Sequence, residues 1–229
     1  MVCEGPTDVE VLRGILSTYI GDYTLRVLQP EGSAYGGDAG PHGGGWKGVR
    51  SWCHTVATAG GFETVLPANP PIDLLIIHID ADIADEAEIA VAEPCPPPMP
   101  TIRALERLLL TWLGLEEGAP DNLALWIPSK STEAWILRAF FPQLPQAQPC
   151  RDLSPGTACI ECIDEPAREL LYKNPKFVRL KDGKLRKLSQ TYRTEGPSLG
   201  LAWPLIVESC DAAAHLDEQL RSWLGSTKE

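Results

Sequence analysis

Leu74-Leu75-Ile76-Ile77-His78-Ile79-Asp80-Ala81-Asp82 is the stretch that decides the fold class. An apolar run broken only by His78 ends abruptly in two aspartates. A run of this length, rich in β-branched residues, suits a central strand covered on both faces. In open α/β sheets, ligands collect at the carboxyl ends of the strands. Asp80 and Asp82 therefore stand where a binding or catalytic site is expected.

The rest of the chain reads as strands alternating with helices. Residues 6–18 read as a helix: Val9, Leu12, Ile15 and Leu16, with Tyr19 just beyond, recur at helical spacing, and Thr7 and Glu10 form a capping-box pair. Residues 23–28 alternate like a strand, 31–45 form a glycine-rich loop, and 49–59 read as a helix. Beyond the acidic motif, a proline-rich link at 94–100 leads to a helix over 101–113. A strand at 122–127 and a helix at 131–140 follow, with further helices at 165–172 and 212–224. The expected architecture is α/β, a mostly parallel sheet flanked by helices. Residues 1–142 form its core, and 143–229 a C-terminal extension that packs on or completes the same domain.

Composition narrows the class. The chain has 229 residues, 44% of them hydrophobic, enough to bury a substantial core. It has no apolar run of about 20 residues, and Met1-Val2-Cys3-Glu4 does not read as a signal peptide. The expectation is a cytoplasmic protein with no membrane partner. The seven cysteines are scattered, which argues against a disulfide framework and for buried, reduced thiols. Cys159 and Cys162 form one CxxC. A structural zinc site needs four ligands, and Cys95 and Cys150 lie at no regular spacing from that pair.

The net charge of −11 argues against general affinity for polyanions, but the charge is uneven. Residues 173–193 hold eight basic side chains against the single acid Asp182, a local +7 on a remainder of −18. Such a strip can track a phosphate backbone, and Lys176, Lys181, Lys184 and Arg186 are its candidate contacts. A solvated surface loop and strand explains the same residues.

A second acidic motif opens the chain: Glu4-Gly5-Pro6-Thr7-Asp8. Glu4 follows a short strand, Gly5 permits a tight turn, and a helix begins, so Glu4 and Asp8 can face one point. If the two strands are neighbours, Glu4, Asp8, Asp80 and Asp82 converge. Crowded carboxylates need a cation, and hard oxygen ligands select Mg²⁺ or Mn²⁺. Each motif taken alone has a plain structural explanation, as a helix N-terminal acid or a surface loop.

The order of these elements resembles the TOPRIM domain of topoisomerases, bacterial primases and a group of nucleases. A short strand leads into Glu-Gly-x-x-Asp, and an apolar strand ends in Asp-x-Asp. The resemblance implies a Rossmann-like core in which Glu4 is acid, base or metal ligand. It implies that Asp80 and Asp82 bind Mg²⁺, with Asp8 in support and Asp85 and Glu86 near enough to add a carboxylate. Ser129-Lys130-Ser131-Thr132-Glu133 is similar to the Ser/Thr-x-Glu of nucleases related to the overcoming-lysogenization-defect family. Glu133 then corresponds to a second-metal ligand, beside Ser131. The family's lysine falls on Lys184 or Lys187, with Lys187 preferred; a lysine suits that role because it can neutralise charge building on the phosphate. The pattern also resembles small stand-alone TOPRIM proteins found near bacterial phage-defence genes.

The implied activity is a metal-dependent endonuclease acting on DNA or RNA. A non-catalytic TOPRIM-like subunit beside a separate ATPase is the first alternative. A phosphatase of the haloacid-dehalogenase type, with Asp80 as nucleophile, is the second; it leaves Glu4 and Asp8 unexplained. A homodimer is left open. Gly40 to Lys47 imitates a phosphate-binding loop, but Trp46 separates glycine from lysine and no Ser or Thr follows. Lys47 and Arg50 remain candidates to lie near substrate, and Trp46 to stack on a base. Trp52, Trp126 and Trp135 read as core. His78, inside the buried run, reads as a satisfied core histidine.

Overall fold

The computed structural model describes residues 1–31, 40–67, 70–144, 146, 148–150, 153 and 159–226. Most of the 31–45 loop expected from the sequence lies outside the described residues. The quoted apolar run forms β1 (Leu75–His78), buried along its whole length. β2 (Leu123–Trp126) lies beside it in parallel, with Leu75 opposite Leu123 and His78 opposite Trp126. On the other side of β1, Val2 makes parallel bridges to both Ile77 and Gln29. The sheet is small, and it is extended by these bridges in the order Gln29, Val2, β1, β2.

Helices cover the sheet: α1 (Pro6–Leu16), α2 (Gly45–Thr58), α3 (Met99–Leu113) and α4 (Thr132–Phe140) come first. They are followed by α5 (Pro166–Lys173), α6 (Ser189–Leu201), α7 (Trp203–Ser209) and α8 (Asp211–Ser226). Pro6 opens α1, where its missing N–H costs nothing. Residues 23–28 make no strand of their own, although Leu28 N–H donates to Met1 O and the Met1 amino group donates to Arg26 O, each at 2.7 Å. The expected cap at Thr7 also shifts. Gly5 is the N-cap of α1, and its N–H donates to Asp8 Oδ2 at 2.9 Å. Glu10, expected in the capping box, instead pairs with Arg193 on α6.

The C-terminal part completes the same hydrophobic core, in which Leu199, Trp203, Ile206 and Leu216 join Ile15, Ile77 and Trp126. α6 lies against α1 at backbone distance: a Cβ on Gly14 would come within 2.4 Å of Gly196 O. α8 closes the open edge of β2 with one side chain. Gln219 accepts from Leu125 N–H at 2.8 Å and donates to Leu125 O at 3.0 Å. That bracket satisfies backbone groups that a further strand would otherwise take.

Two features were not read from the sequence. α6 and α7 fall in the stretch that reads as irregular, because Gly196, Pro197 and Gly200 interrupt its pattern. Between α5 and α6, β3 (Val178–Lys181) and β4 (Lys184–Lys187) form an antiparallel hairpin. Asp182 and Gly183 both have positive φ at its turn, as Asp-Gly dipeptides favour.

The cysteine expectation needs correcting. Cys3, Cys53 and Cys210 are free and buried. Cys95 is joined to Cys162 and Cys150 to Cys159, with Cα separations of 5.4 and 5.3 Å. The meeting of Cys95, in the proline-rich link, with the turn at 159–162, and of that turn with Cys150, creates these pairs, and no sequence spacing announces them. Among the described residues, no helix is long and apolar enough to cross a membrane.

Candidate acidic active site

Because Val2 and β1 are neighbours, the chain leaves both strands at the same end of the sheet. Glu4 lies two residues beyond Val2, and Asp80 two beyond His78. Glu4 Oε1 accepts from the N–H of Asp80 at 2.7 Å, a direct link between the two acidic motifs. The third contribution comes from the β2–α4 turn. Thr132 N–H donates to Asp80 Oδ1 at 3.3 Å, and Thr132 Oγ1 donates to Asp8 Oδ1 at the same distance. Asp8, Asp80, Thr132 and Glu133 are all buried, Glu133 completely.

The hairpin supplies the cation. Along β4 side chains alternate between faces. Lys187 shares a face with Val178, opposite it in register, and Val178 is buried. Lys187 reaches the acidic cluster, its Nζ 2.7 Å from Glu133 Oε2, with a third of its side chain exposed. Tyr192 on α6 donates to the other Glu133 oxygen at 2.7 Å. Arg179, Lys181, Lys184 and Arg186 fall on the opposite face of the hairpin, all exposed. None of these four pairs with a carboxylate among the described residues. Lys176 is likewise exposed, just before β3.

His78 is the residue the sequence reading misplaced. It is fully buried, but it is not a satisfied core histidine. Nδ1 lies 3.7 Å from Asp8 Oδ2 and Nε2 lies 3.3 Å from Asp80 Oδ1, and neither nitrogen meets hydrogen-bond geometry. The ring packs on Trp126, with centroids 4.3 Å apart. Strand alternation carried the missing signal, since residues two apart on a strand share a face. Tyr192 and Thr132 also entered the cluster without a sequence signal: Tyr192 is distant in the chain, and Thr132 looked like a helix-start residue.

The crowding shows in the acidities. Burial, reinforced by Asp80, pushes Glu4 up to about 8. Burial also raises Asp8, against the opposing pull of His78. For Asp80, burial acts upward, but His78 and Lys187 outweigh it and hold the carboxyl below its ordinary value. His78 would be lowered by burial, yet Asp8 and Asp80 lift it to about 9. Lys187 is opposed by burial and raised by Glu133, Asp80 and Asp8. Asp82 lies on the exposed side, its N–H donating to Lys130 O at 3.3 Å. Burial of its carboxyl group and then Asp80 raise it to about 7, so it feels the cluster although it makes no hydrogen bond to it.

Other candidates fall away from this point. Asp85 and Glu86 are exposed. Lys47 and Arg50 both bind Glu88, at 2.9 and 2.8 Å, and are not directed at the acidic cluster. Trp46 is buried and stacks on Trp112, so it offers no face to a base. Trp52, Trp126 and Trp135 are buried as expected. Ser131 is the N-cap of α4, with its buried Oγ lacking a hydrogen-bond partner.

Among the described residues, the cysteines at 150, 159 and 162 are the group whose metal-binding atoms lie within 4.8 Å of one another. The carboxylates are spread more widely, around His78. Mg²⁺ keeps several waters and uses one or two carboxylates directly, so a loose ring of acids fits it. Glu4, Asp8, Asp80 and Asp82 are the residues that would hold such an ion, and Glu133 one beside Lys187. Comparison of the chain with family models, with curated proteins and with solved structures finds no match in any of the three.

Proposed function

We propose that this chain is a TOPRIM-like, metal-dependent endonuclease that hydrolyses phosphodiester bonds in DNA or RNA. The observation that carries the reading is the Glu4–Asp80 link, which joins the two acidic motifs at the ends of neighbouring parallel strands. A bound Mg²⁺ or Mn²⁺ would supply Lewis-acid stabilisation of phosphate charge and a more acidic water. The chain's own part is positional. Glu4, its carboxyl pushed up to about 8 by burial and Asp80, can hold a proton near neutral pH and give it to a leaving oxygen. Thr132 fixes Asp8 and Asp80 relative to each other, and Tyr192 fixes Glu133. Lys187, charged throughout the physiological range, would face the developing negative charge of the phosphate. The exposed cations of the hairpin and Lys176 would guide the nucleic-acid backbone toward the site.

One observation favours a second reading. His78 and Lys187 already place two cationic groups among the carboxylates, which reduces the need for a metal. That arrangement suits a non-catalytic subunit working beside a separate ATPase. Incubating single- and double-stranded DNA and RNA with Mg²⁺ or Mn²⁺ separates the two. Cleavage by the wild type, abolished in both Glu4→Ala and Asp80→Ala, is the expected outcome. Equal cleavage by all three proteins, or cleavage by none together with no Mg²⁺ affinity, removes the catalytic assignment. Cleavage that survives EDTA does the same.

A further inference from the structure

We propose that Cys95, Cys150, Cys159 and Cys162 form a structural zinc site, the four thiolates holding one Zn²⁺ in the reduced protein. The cluster lies outside the acidic site and is drawn from two distant parts of the chain. The sulfurs of Cys150, Cys159 and Cys162 lie within 4.8 Å of one another, and Cys95 is bonded to Cys162. Across the two pairs, Cys150 and Cys162 sulfurs are 3.9 Å apart. Zinc–sulfur bonds of about 2.3 Å in a tetrahedron put neighbouring sulfurs roughly 3.8 Å apart. The cluster is thus of a size to close on one ion.

The connectivity argues for a metal rather than a redox pair. A redox CxxC closes on itself, one cysteine on the other. Here Cys159 and Cys162 each turn to a cysteine outside the motif. The motif has the compact turn of a zinc knuckle: Cys162 N–H donates to Cys159 O at 3.1 Å through a short 3₁₀ turn. A CxxC with two further cysteines brought in by the fold completes a Cys₄ ligand set. Cys95 and Cys162 are half-buried, which leaves an entry path, whereas Cys150 and Cys159 are buried.

The location explains what the ion would do. Glu161, inside the knuckle, accepts from the N–H groups of Asp211 and Ala212 at 2.7 and 2.8 Å, where α8 begins. It also accepts from Ser129 Oγ at 3.4 Å, on the turn that carries Thr132 and Glu133. On the Cys95 side, Glu93 pairs with Lys130 of the same turn. One ion would therefore tie the proline-rich link and the knuckle to the turn that shapes the acidic site. Starting from the two disulfides, two equivalents of a dithiol reductant supply four electrons and four protons and give four thiols. Each dithiol becomes its own disulfide, and Zn²⁺ then displaces the four thiol protons.

The test is metal and thiol content of the full-length protein, made in zinc-supplemented medium and purified anaerobically without added thiol. About one zinc per chain and all seven cysteines titrating as thiols in denaturant with chelator is the expected result. Cys95→Ser and Cys162→Ser should each lose at least half of the zinc, whereas Asp80→Asn should keep it. Should a variant fail to fold, Co²⁺ substitution of the wild type decides, by the thiolate charge-transfer and tetrahedral d–d absorption expected of four sulfur ligands. Three titratable thiols with no zinc would mean that the disulfides are the cluster's resting state, and would overturn the proposal. So would seven thiols without zinc, cobalt spectra lacking sulfur ligation, or zinc lost in Asp80→Asn and kept in Cys162→Ser. Absence of nuclease activity would leave these readouts unchanged.

Discussion

In metal-free protein the acidic cluster should make stability fall as pH rises, and Glu4→Gln should flatten that fall. Glu4 is pushed from an ordinary 4.5 to about 8 in the fold. Between those values the folded chain holds a proton that the unfolded chain has released, so raising the pH favours unfolding. Asp82, raised from 3.8 to about 7, acts in the same direction. So does His78, lifted from 6.5 to about 9; its contribution is complete below 6.5 and lost as the pH passes 9. The buried amino terminus of Met1, lowered from 8.0 to about 6, opposes them, but equally in wild type and variant. At roughly 1.4 kcal/mol per unit, reduced for partial solvent access, Glu4 alone contributes about 2 kcal/mol between roughly pH 5.5 and pH 8. For a chain of this size that corresponds to about 4–8 °C in melting temperature. The assay is thermal unfolding in EDTA across that range, repeated with Mg²⁺. Wild type should melt lower at the alkaline end, and Mg²⁺ should restore more there than at the acid end, because it competes with the Glu4 proton. The same slope in wild type and Glu4→Gln, or melting that rises with pH in both, would refute the electrostatic account of the site.

Lys187→Met should cost about 2–4 kcal/mol in urea denaturation, because it leaves the fully buried Glu133 without its cation. Adding Glu133→Gln should recover most of that loss, and a single-variant cost under about 0.5 kcal/mol would show that the pair is not coupled. Gly14→Ala should destabilise by about 1–3 kcal/mol, since its Cβ meets Gly196 O at 2.4 Å; an equally stable variant would contradict the close approach of α1 and α6. Replacing Lys181, Lys184 and Arg186 together by Gln should weaken nucleic-acid binding and make its salt dependence shallower by about two to three. An unchanged slope in filter-binding or anisotropy titrations would place the interface elsewhere.

The local pattern by itself determined several of the elements, β1, α1, α3, β2 and α4 among them, and the acids at the ends of β1 and the first short segment. The apolar run before Asp80, broken only by His78, is legible as a buried strand because a strand covered on both faces has no use for alternation. Glu4-Gly5-x-x-Asp8 is legible because a strand-to-helix turn needs glycine and favours an acid in the first helical turn. Glu133 stood out only through the family resemblance of Ser131-Thr132-Glu133, at the opening of α4. What the sequence could not supply was adjacency. Whether the segment around Val2 pairs with β1, and so whether Glu4 meets Asp80, depends on backbone hydrogen bonds between residues more than 70 apart. Lys187, named from the family resemblance, meets the cluster because strand alternation in the hairpin turns it inward and its basic neighbours outward. His78 became part of the site because Asp8 is carried beside it by α1, and Tyr192 because α6 packs on α1 through glycines. The four cysteines gather in the same way, through the packing of a proline-rich link on a distant knuckle. Side chains far apart along the chain are placed by backbone pairing and close packing, and those interactions leave no periodic trace in the amino-acid order.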